Sequence, residues 1–231
     1  MGSPYHQFCP VAKTMELLDE RWTMLVVREL AAGSVHFNDL RRGLPRMSPS
    51  LLSKRLQRLV ASGVVARTSE GGDVRYVLTP AGEELRPVVE ALGAWGMRWI
   101  PELGDEDLDP HLLMWDVHRN VDAGAVPAGR TVVRFAFPPL RGKGRDWWVV
   151  ITPPTTDLCD FDPGFDTAAT VTADLRSMVR VWRGDLSWGE ALRSGGIAIE
   201  APEETRRALP GWFALNPFAR VPRVDVVDAG S

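Results

Sequence analysis

Between Ser48 and Gly63 the chain carries side chains suited to reading a polyanion. Leu52, Leu56 and Leu59 recur at helical spacing, and turned away from them lie Ser50, Lys54, Gln57 and Arg58. A hydroxyl, an ammonium, an amide and a guanidinium on the front of an apolar-backed helix can donate to base edges and neutralise phosphate. Ser48 and Pro49 open that helix as N-cap and first helical residue. Around it, residues 36–75 hold eight basic groups (Arg41, Arg42, Arg46, Lys54, Arg55, Arg58, Arg67, Arg75) against three acids (Asp39, Glu70, Asp73). Within a chain of formal net charge −3, such a block is a local footprint for a polyanion. Lys54 and Gln57 are expected to read base edges, with Ser48 and Ser50 beside them. Arg41, Arg42, Arg46, Arg58 and Arg75 are expected to hold phosphates, which adds affinity without sequence information.

Other chemistry is thinner. Cys9 and Cys159 are the two cysteines, far apart and without histidines at ligand spacing, so neither a disulfide framework nor a structural zinc site is expected. Asp157, Asp160, Asp162 and Asp166 surround Pro163-Gly164, but Pro163 and the interleaved phenylalanines break a calcium-loop pattern; a polar turn before a strand is expected. Gly142-Lys143-Gly144 lacks phosphate-loop spacing and reads as a hairpin turn. His6, His36, His111 and His118 have no recognisable nucleophile beside them. We expect no enzyme activity, no metal and no cofactor.

The elements that must position the basic helix are legible in order. Pro10 to Glu20 places Val11, Met15 and Leu18 on one apolar helical face. Trp22 to Ala32 forms a second helix ended by Gly33, and Phe37 to Gly43 a short third. After the fourth helix, Val64 to Thr68 and Val74 to Leu78 form a hairpin through Gly71-Gly72. Helices followed by such a wing describe a mainly α winged helix-turn-helix, whose fourth helix enters the major groove of double-stranded DNA.

At these residues the chain resembles the HxlR-type transcriptional regulators. The resemblance rests on Phe8-Cys9-Pro10-Val11, Arg21-Trp22-Thr23-Met24-Leu25, and Phe37-Asn38-Asp39-Leu40-Arg41-Arg42-Gly43-Leu44-Pro45. It continues in Met47-Ser48-Pro49-Ser50-Leu51-Leu52-Ser53-Lys54-Arg55-Leu56 and Tyr76-Val77-Leu78-Thr79-Pro80-Ala81-Gly82. It implies a dimeric winged-helix repressor or activator. Gly71-Gly72-Asp73-Val74-Arg75 departs from the family's proline-containing wing, which bears on minor-groove contacts more than major-groove ones. Some members sense oxidants or electrophiles through an N-terminal cysteine matching Cys9. The competing reading of Cys9 is a small buried apolar residue.

Dimerisation is also readable without the resemblance. Thr79-Pro80 opens a helix in which Leu85, Leu92 and Trp99 recur every seven residues, with Val88, Val89 and Trp95 between them. Leu85, Leu92, Trp95 and Trp99 are the expected interface, packing against the chain's own second domain being the alternative. A homodimer sets two reading helices about one DNA turn apart and predicts a palindromic operator.

The division is expected as a winged domain over 1–103, an acidic linker over 104–110 within the stretch Pro101 to Pro110, and a second domain over 111–231. The second domain reads as α+β: a helix from His111, strands at Arg130 to Phe137 and Trp147 to Ile151, a strand at Ala169 to Ala173, a helix capped by Asp174, a helix opened by Ser187-Trp188-Gly189-Glu190, and a last strand with Ile197 and Ile199. The stretch Thr170-Val171-Thr172-Ala173-Asp174-Leu175, with Val181-Trp182-Arg183-Gly184-Asp185-Leu186 and Ala191-Leu192-Arg193-Ser194-Gly195-Gly196-Ile197, resembles a sterol-carrier-protein-type domain over about residues 125–215. That resemblance implies a sheet covered by helices around an apolar tunnel for a lipid or other hydrophobic small molecule. Trp147, Trp182, Trp188, Trp212 and Phe213 are the expected lining; an aromatic core is the alternative.

Hydrophobic residues at 45% and charged residues at 25% over 231 positions exclude a disordered, fibrous or disulfide-scaffold protein. The start of the chain shows neither a signal-peptide pattern nor, at Gly2, an acylation pattern, and no run spans a membrane, so a cytoplasmic protein is expected. The combined reading is a DNA-binding regulator that senses a hydrophobic ligand. Its rivals are a lipid carrier that uses the winged domain only to dimerise, and a redox sensor acting through Cys9.

Overall fold

The computed structural model describes residues 4–100 and 102–224; Gly2 and Pro101, on which the acylation and linker-start readings fell, lie outside the described residues. Two compact units divide between Trp95 and Gly96.

The first unit opens with α1 (Pro10–Leu18), α2 (Thr23–Ala31), α3 (Phe37–Gly43) and α4 (Pro49–Ala61). Ser48 caps α4 by accepting the Leu51 N–H at 3.3 Å, and Pro49 follows at the first helical position. Leu52, Leu56 and Leu59 then face inward against Val26, Val27 and Leu30 of α2 and Leu40 of α3. The wing pairs β1 (Val65–Glu70) with β2 (Asp73–Leu78) antiparallel, Glu70 opposite Asp73. Gly71 and Gly72 take φ of 57° and 90°, the left-handed turn that matches strand twist and that a Cβ would oppose. This is a winged helix-turn-helix.

Of the apolar face on α1 only Leu18 is buried, and Val11 and Met15 are 69% and 40% exposed. The helix expected from Thr79 onward breaks into α5 (Pro80–Glu83) and α6 (Arg86–Trp99). The break turns Leu85 and Val89 onto the first unit's own core. Leu85 therefore leaves the heptad seam, while Leu92, Trp95 and Trp99 remain 55%, 58% and 45% exposed.

The second unit is α+β around a mixed five-stranded sheet ordered β5-β4-β3-β6-β7. Its strands are β3 (Thr131–Ala136), β4 (Asp146–Thr152), β5 (Thr155–Cys159), β6 (Ala169–Ala173) and β7 (Ile197–Glu200). Only the β3–β6 pair is parallel; the other three are antiparallel. Val133, Phe135, Val149, Ile151, Val171 and Ile197 share the inward face of the pleat. That face packs on α7 (Pro110–Arg119) and α8 (Leu175–Arg183), with α9 (Trp188–Arg193) and the segment after α10 (Glu203–Ala208) completing the core. Asp174 caps α8, and Ser187 with Glu190 forms a reciprocal capping box on α9. Gly142-Lys143-Gly144 does lie in the β3–β4 hairpin connection.

Asp157, expected within the polar turn around Pro163-Gly164, lies instead in edge strand β5, Thr155–Cys159. Its exposed, polar-rich composition hides the period-two signal that a half-buried strand shows. The acidic segment after Leu103 is ordered against its own unit: Arg176 donates to the Leu103 carbonyl at 3.0 Å and to Asp105 at 2.6 Å.

Candidate nucleic-acid interface

The capped α4 presents Ser50, Lys54 and Gln57 together on its exposed side. Lys54 and Gln57 have no hydrogen-bond or ion-pair partner among the described residues, so their donors are available to a ligand. Ser50 lies 3.3 Å from Ser48 through their hydroxyls, at the N-terminal end of the helix, where unpaired backbone N–H groups also favour an anion. Arg41, Arg42 and Arg46 are exposed on α3 and the α3–α4 turn.

A buried carboxylate supports that turn. Glu29 on α2 is fully buried; Arg28 donates to its Oε1 at 2.8 Å and Ser34 to its Oε2 at 3.3 Å. Arg28 also donates to the Gly43 carbonyl at 2.9 Å, tying α2 to the end of α3. The wing is tied beside it, since the Tyr76 N–H donates to the Val35 carbonyl at 2.8 Å. Asp73, at the wing's turn, lies 3.3 Å from His36 Nδ1 and accepts from Arg75 at 2.9 Å. Arg75 is therefore on the wing as expected, but with a carboxylate beside it.

Arg58 is the departure. It was expected on phosphate, but its guanidinium pairs with Glu20 and donates to the Glu16 carbonyl at 2.6 Å. Its neighbour Arg55 reaches Glu20 from the other side. Arg58 sits at the flank of the helix front rather than its centre, and a long side chain there can fold back onto the preceding elements. Sequence spacing carried no sign of this contact, because Glu20 lies 38 residues away.

A second surface went unrecognised. Phe8, just before α1, is fully exposed, and Val11 and Met15 make an exposed apolar stripe on α1. Val88 adds to the exposed apolar side of α6. The stripe on α1 was visible as spacing; whether its partner was the chain's own core was not. Cys9 is a half-buried free thiol at the N-cap position of α1.

In the second unit, Trp147, Trp182, Trp212 and Phe213 are buried core residues, and Trp188 packs partly buried against them. The Trp147 indole N–H donates to the Gly144 carbonyl at 2.9 Å, and Phe213 meets Phe135 edge-on at 5.4 Å. These rings fill the space between sheet and helices, as close packing favours. A cleft of about 650 Å³ in this unit is lined instead by residues such as Leu103, Leu108, Val179, Val221, Arg176 and Arg180. The indole N–H groups of Trp188 and Trp212 are buried without an acceptor among the described residues. His111 packs edge-on against Trp147 and His118 stacks on Trp115. Asp162 accepts the Gly164 N–H at 2.8 Å as a turn residue. Among the described residues no group of three or more His, Cys, Asp or Glu is placed to hold a metal ion, and no helix is long and apolar enough to cross a membrane.

Comparison with known proteins agrees with the winged fold. Residues 17–103 match the HxlR-like helix-turn-helix family. The uncharacterized HTH-type transcriptional regulator YvaP of Bacillus subtilis (strain 168) is 34% identical over 98 residues, which cover 41% of this chain and 91% of YvaP. The uncharacterized HTH-type transcriptional regulator sll1512 of Synechocystis is 34% identical over 97 residues, covering 41% of this chain and 72% of that protein. The solved reduced form of the transcriptional regulator YodB from B. subtilis is 29% identical, with a TM-score of 0.35, covering 39% of this chain and 92% of YodB. The chain belongs to the HxlR-like helix-turn-helix family through its first unit.

Proposed function

We propose that this chain is a homodimeric transcription regulator that reads a palindromic operator with α4, and that its second unit takes a hydrophobic small molecule. One observation carries the DNA reading: Lys54 and Gln57 stand exposed and without partners among the described residues, on a capped helix whose other side is locked into the core. Arg41, Arg42 and Arg46 add positive charge beside them for phosphate. The names of the relatives YvaP and sll1512 agree with a regulator. The exposed side of α6 at Leu92, Trp95 and Trp99 is an apolar surface that a second copy would cover.

Selection from a random duplex library tests this. The expected product is a palindrome with half-sites about one helical turn apart. Lys54→Ala with Gln57→Ala should then relax selection at specific positions, each base contact being worth about 1–3 kcal/mol. Failure to enrich any sequence, or equal selection by the double variant, refutes the reading. It would favour the lipid carrier in which the winged domain only dimerises.

The ligand reading has its own support. A cleft of about 650 Å³ sets Leu103, Leu108, Val179 and Val221 beside Arg176 and Arg180, a lining suited to a small molecule with an apolar body and an acceptor or anionic group at one end. Ligand must bind one arrangement of the dimer better than another to alter DNA affinity. Native mass spectrometry of freshly purified protein should show a dimer with a hydrophobic adduct. A bare dimer whose DNA affinity no apolar compound changes refutes the sensor.

A further inference from the structure

The chain reverses from α1 into α2 through Glu20, Arg21 and Trp22. Trp22 takes φ +80°, a left-handed conformation disfavoured for any residue with a Cβ, so surrounding structure must hold it. The reading helix α4 does so with two side chains. Arg55 donates Nε to the Arg21 carbonyl at 3.1 Å, next to the strained residue, and sets Nη1 2.7 Å from Glu20 Oε2. Arg58 pairs with the other carboxylate oxygen, Oε1, and donates Nη2 to the Glu16 carbonyl at 2.6 Å. The Arg55, Arg58 and Glu20 side chains keep only 11%, 22% and 18% exposure, so the triad is largely shielded from salt.

The placement of these two arginines matters because of their neighbours. Arg58 lies one helical turn beyond Lys54, on a helix expected to enter a groove walled by phosphate, and Arg55 lies one turn before Arg58. Arginines there would ordinarily hold phosphate, which strengthens binding to every sequence alike. Both oxygens of one carboxylate hold them back. We propose that Glu20 is a specificity-determining residue for DNA recognition: as the shared counter-ion of Arg55 and Arg58 it withholds both guanidinium groups from the phosphate backbone, leaving Lys54 and Gln57 to dominate. This rests on the DNA reading above. It needs no change in the fold, because α4 stays packed through Leu52, Leu56 and Leu59 when the two guanidinium groups turn outward.

The test is the salt dependence of binding by the full-length protein to its selected operator and to a scrambled duplex. Glu20→Gln should strengthen binding to the scrambled duplex. The slope of log affinity against log salt should steepen by about 0.9 for each guanidinium released. The ratio of operator to scrambled affinity should fall at least tenfold. Adding Arg58→Gln to that variant should reverse the part of the change that Arg58 carries. Arg58→Gln alone serves if Glu20→Gln does not fold, and it should leave the slope as in the parent. A slope that becomes shallower by about 0.9 with Arg58→Gln alone means that Arg58 already holds phosphate, which overturns the inference. An unchanged ratio and slope in folded Glu20→Gln overturns it as well. A purely structural role would move thermal stability and leave the slope alone. A parent that binds no duplex refutes the DNA reading itself, and this inference falls with it.

Discussion

Gly43→Ala should unfold the first unit far more readily, although alanine is the better helix former. The substitution acts at the end of α3, between Arg42 and Arg46. A Cβ built on Gly43 has the Glu29 carboxylate as its three nearest atoms, and even the more distant oxygen, Oε1, lies 2.7 Å away. The carboxylate cannot swing into solvent, because Glu29 is fully buried and held by Arg28 at 2.8 Å and Ser34 at 3.3 Å. Overpacking of this kind costs about 1–3 kcal/mol. Pulling a buried carboxylate from a charged donor costs roughly 1.5–3 kcal/mol more, against at most about 1 kcal/mol gained from helix propensity. A net loss of roughly 3 kcal/mol follows, which for a unit of this size lowers the melting temperature by about 12–24 °C. Urea unfolding read by amide hydrogen exchange at Val26 and Leu52 reports on this unit alone. Adding Glu29→Ala removes the clash, so the double variant should be less damaged than the sum of the two by about 1–3 kcal/mol. Stability of Gly43→Ala within about 0.5 kcal/mol of the parent, or strict additivity, would refute the steric argument.

Other outcomes are expected elsewhere. Ser48→Ala removes the α4 cap and should cost about 1 kcal/mol, read by urea unfolding, with weaker duplex binding as the first turn frays. Trp95→Ala or Leu92→Ala should raise the dimer dissociation constant by about 30-fold or more in analytical ultracentrifugation, the weight of a hot-spot residue. Leu85→Ala should instead destabilise the first unit and leave the dimer constant unchanged at temperatures where the unit is folded. In acid, the start of α9 should fray. The Ser187 hydroxyl donates to Glu190 and holds its carboxyl below the usual glutamate range. That contribution is present above the ordinary glutamate range and is lost as pH falls through the lowered value. Amide exchange across α9 should therefore quicken on acidification, with the pH dependence absent in Glu190→Gln. Faster exchange on raising the pH out of the acid range, after correction for intrinsic rates, would contradict the sign.

The site divides between what is written locally and what is not. Lys54, Gln57 and Ser50 could be found in the sequence because their shared face follows from helix pitch and from the leucines opposite. Ser48-Pro49, Asp174 and Ser187-Glu190 marked helix starts because capping is settled within four residues. Arg58 was misplaced for the opposite reason: charge and helix face do not say whether a long side chain meets solvent or a carboxylate supplied by a distant turn. Edge strand β5 was missed because an exposed polar strand lacks the apolar alternation by which strands are recognised.

The amino-acid order by itself determined the winged helix-turn-helix order of elements, the glycine turn of the wing, the α+β character of the second unit and the polar front of α4. Each follows from interactions among residues a few positions apart. Only the tertiary structure decided where each apolar stripe points: Leu18 and Leu85 inward, Val11, Met15, Leu92 and Trp95 outward. It also decided that Glu20 engages Arg55 and Arg58, that Gly43 is the space Glu29 needs, and that the large rings fill the second core rather than line the cleft. Periodicity tells which side of an element avoids water. The choice of partner depends on three-dimensional packing among segments distant in the chain, where volume and charge are matched only once the elements have docked.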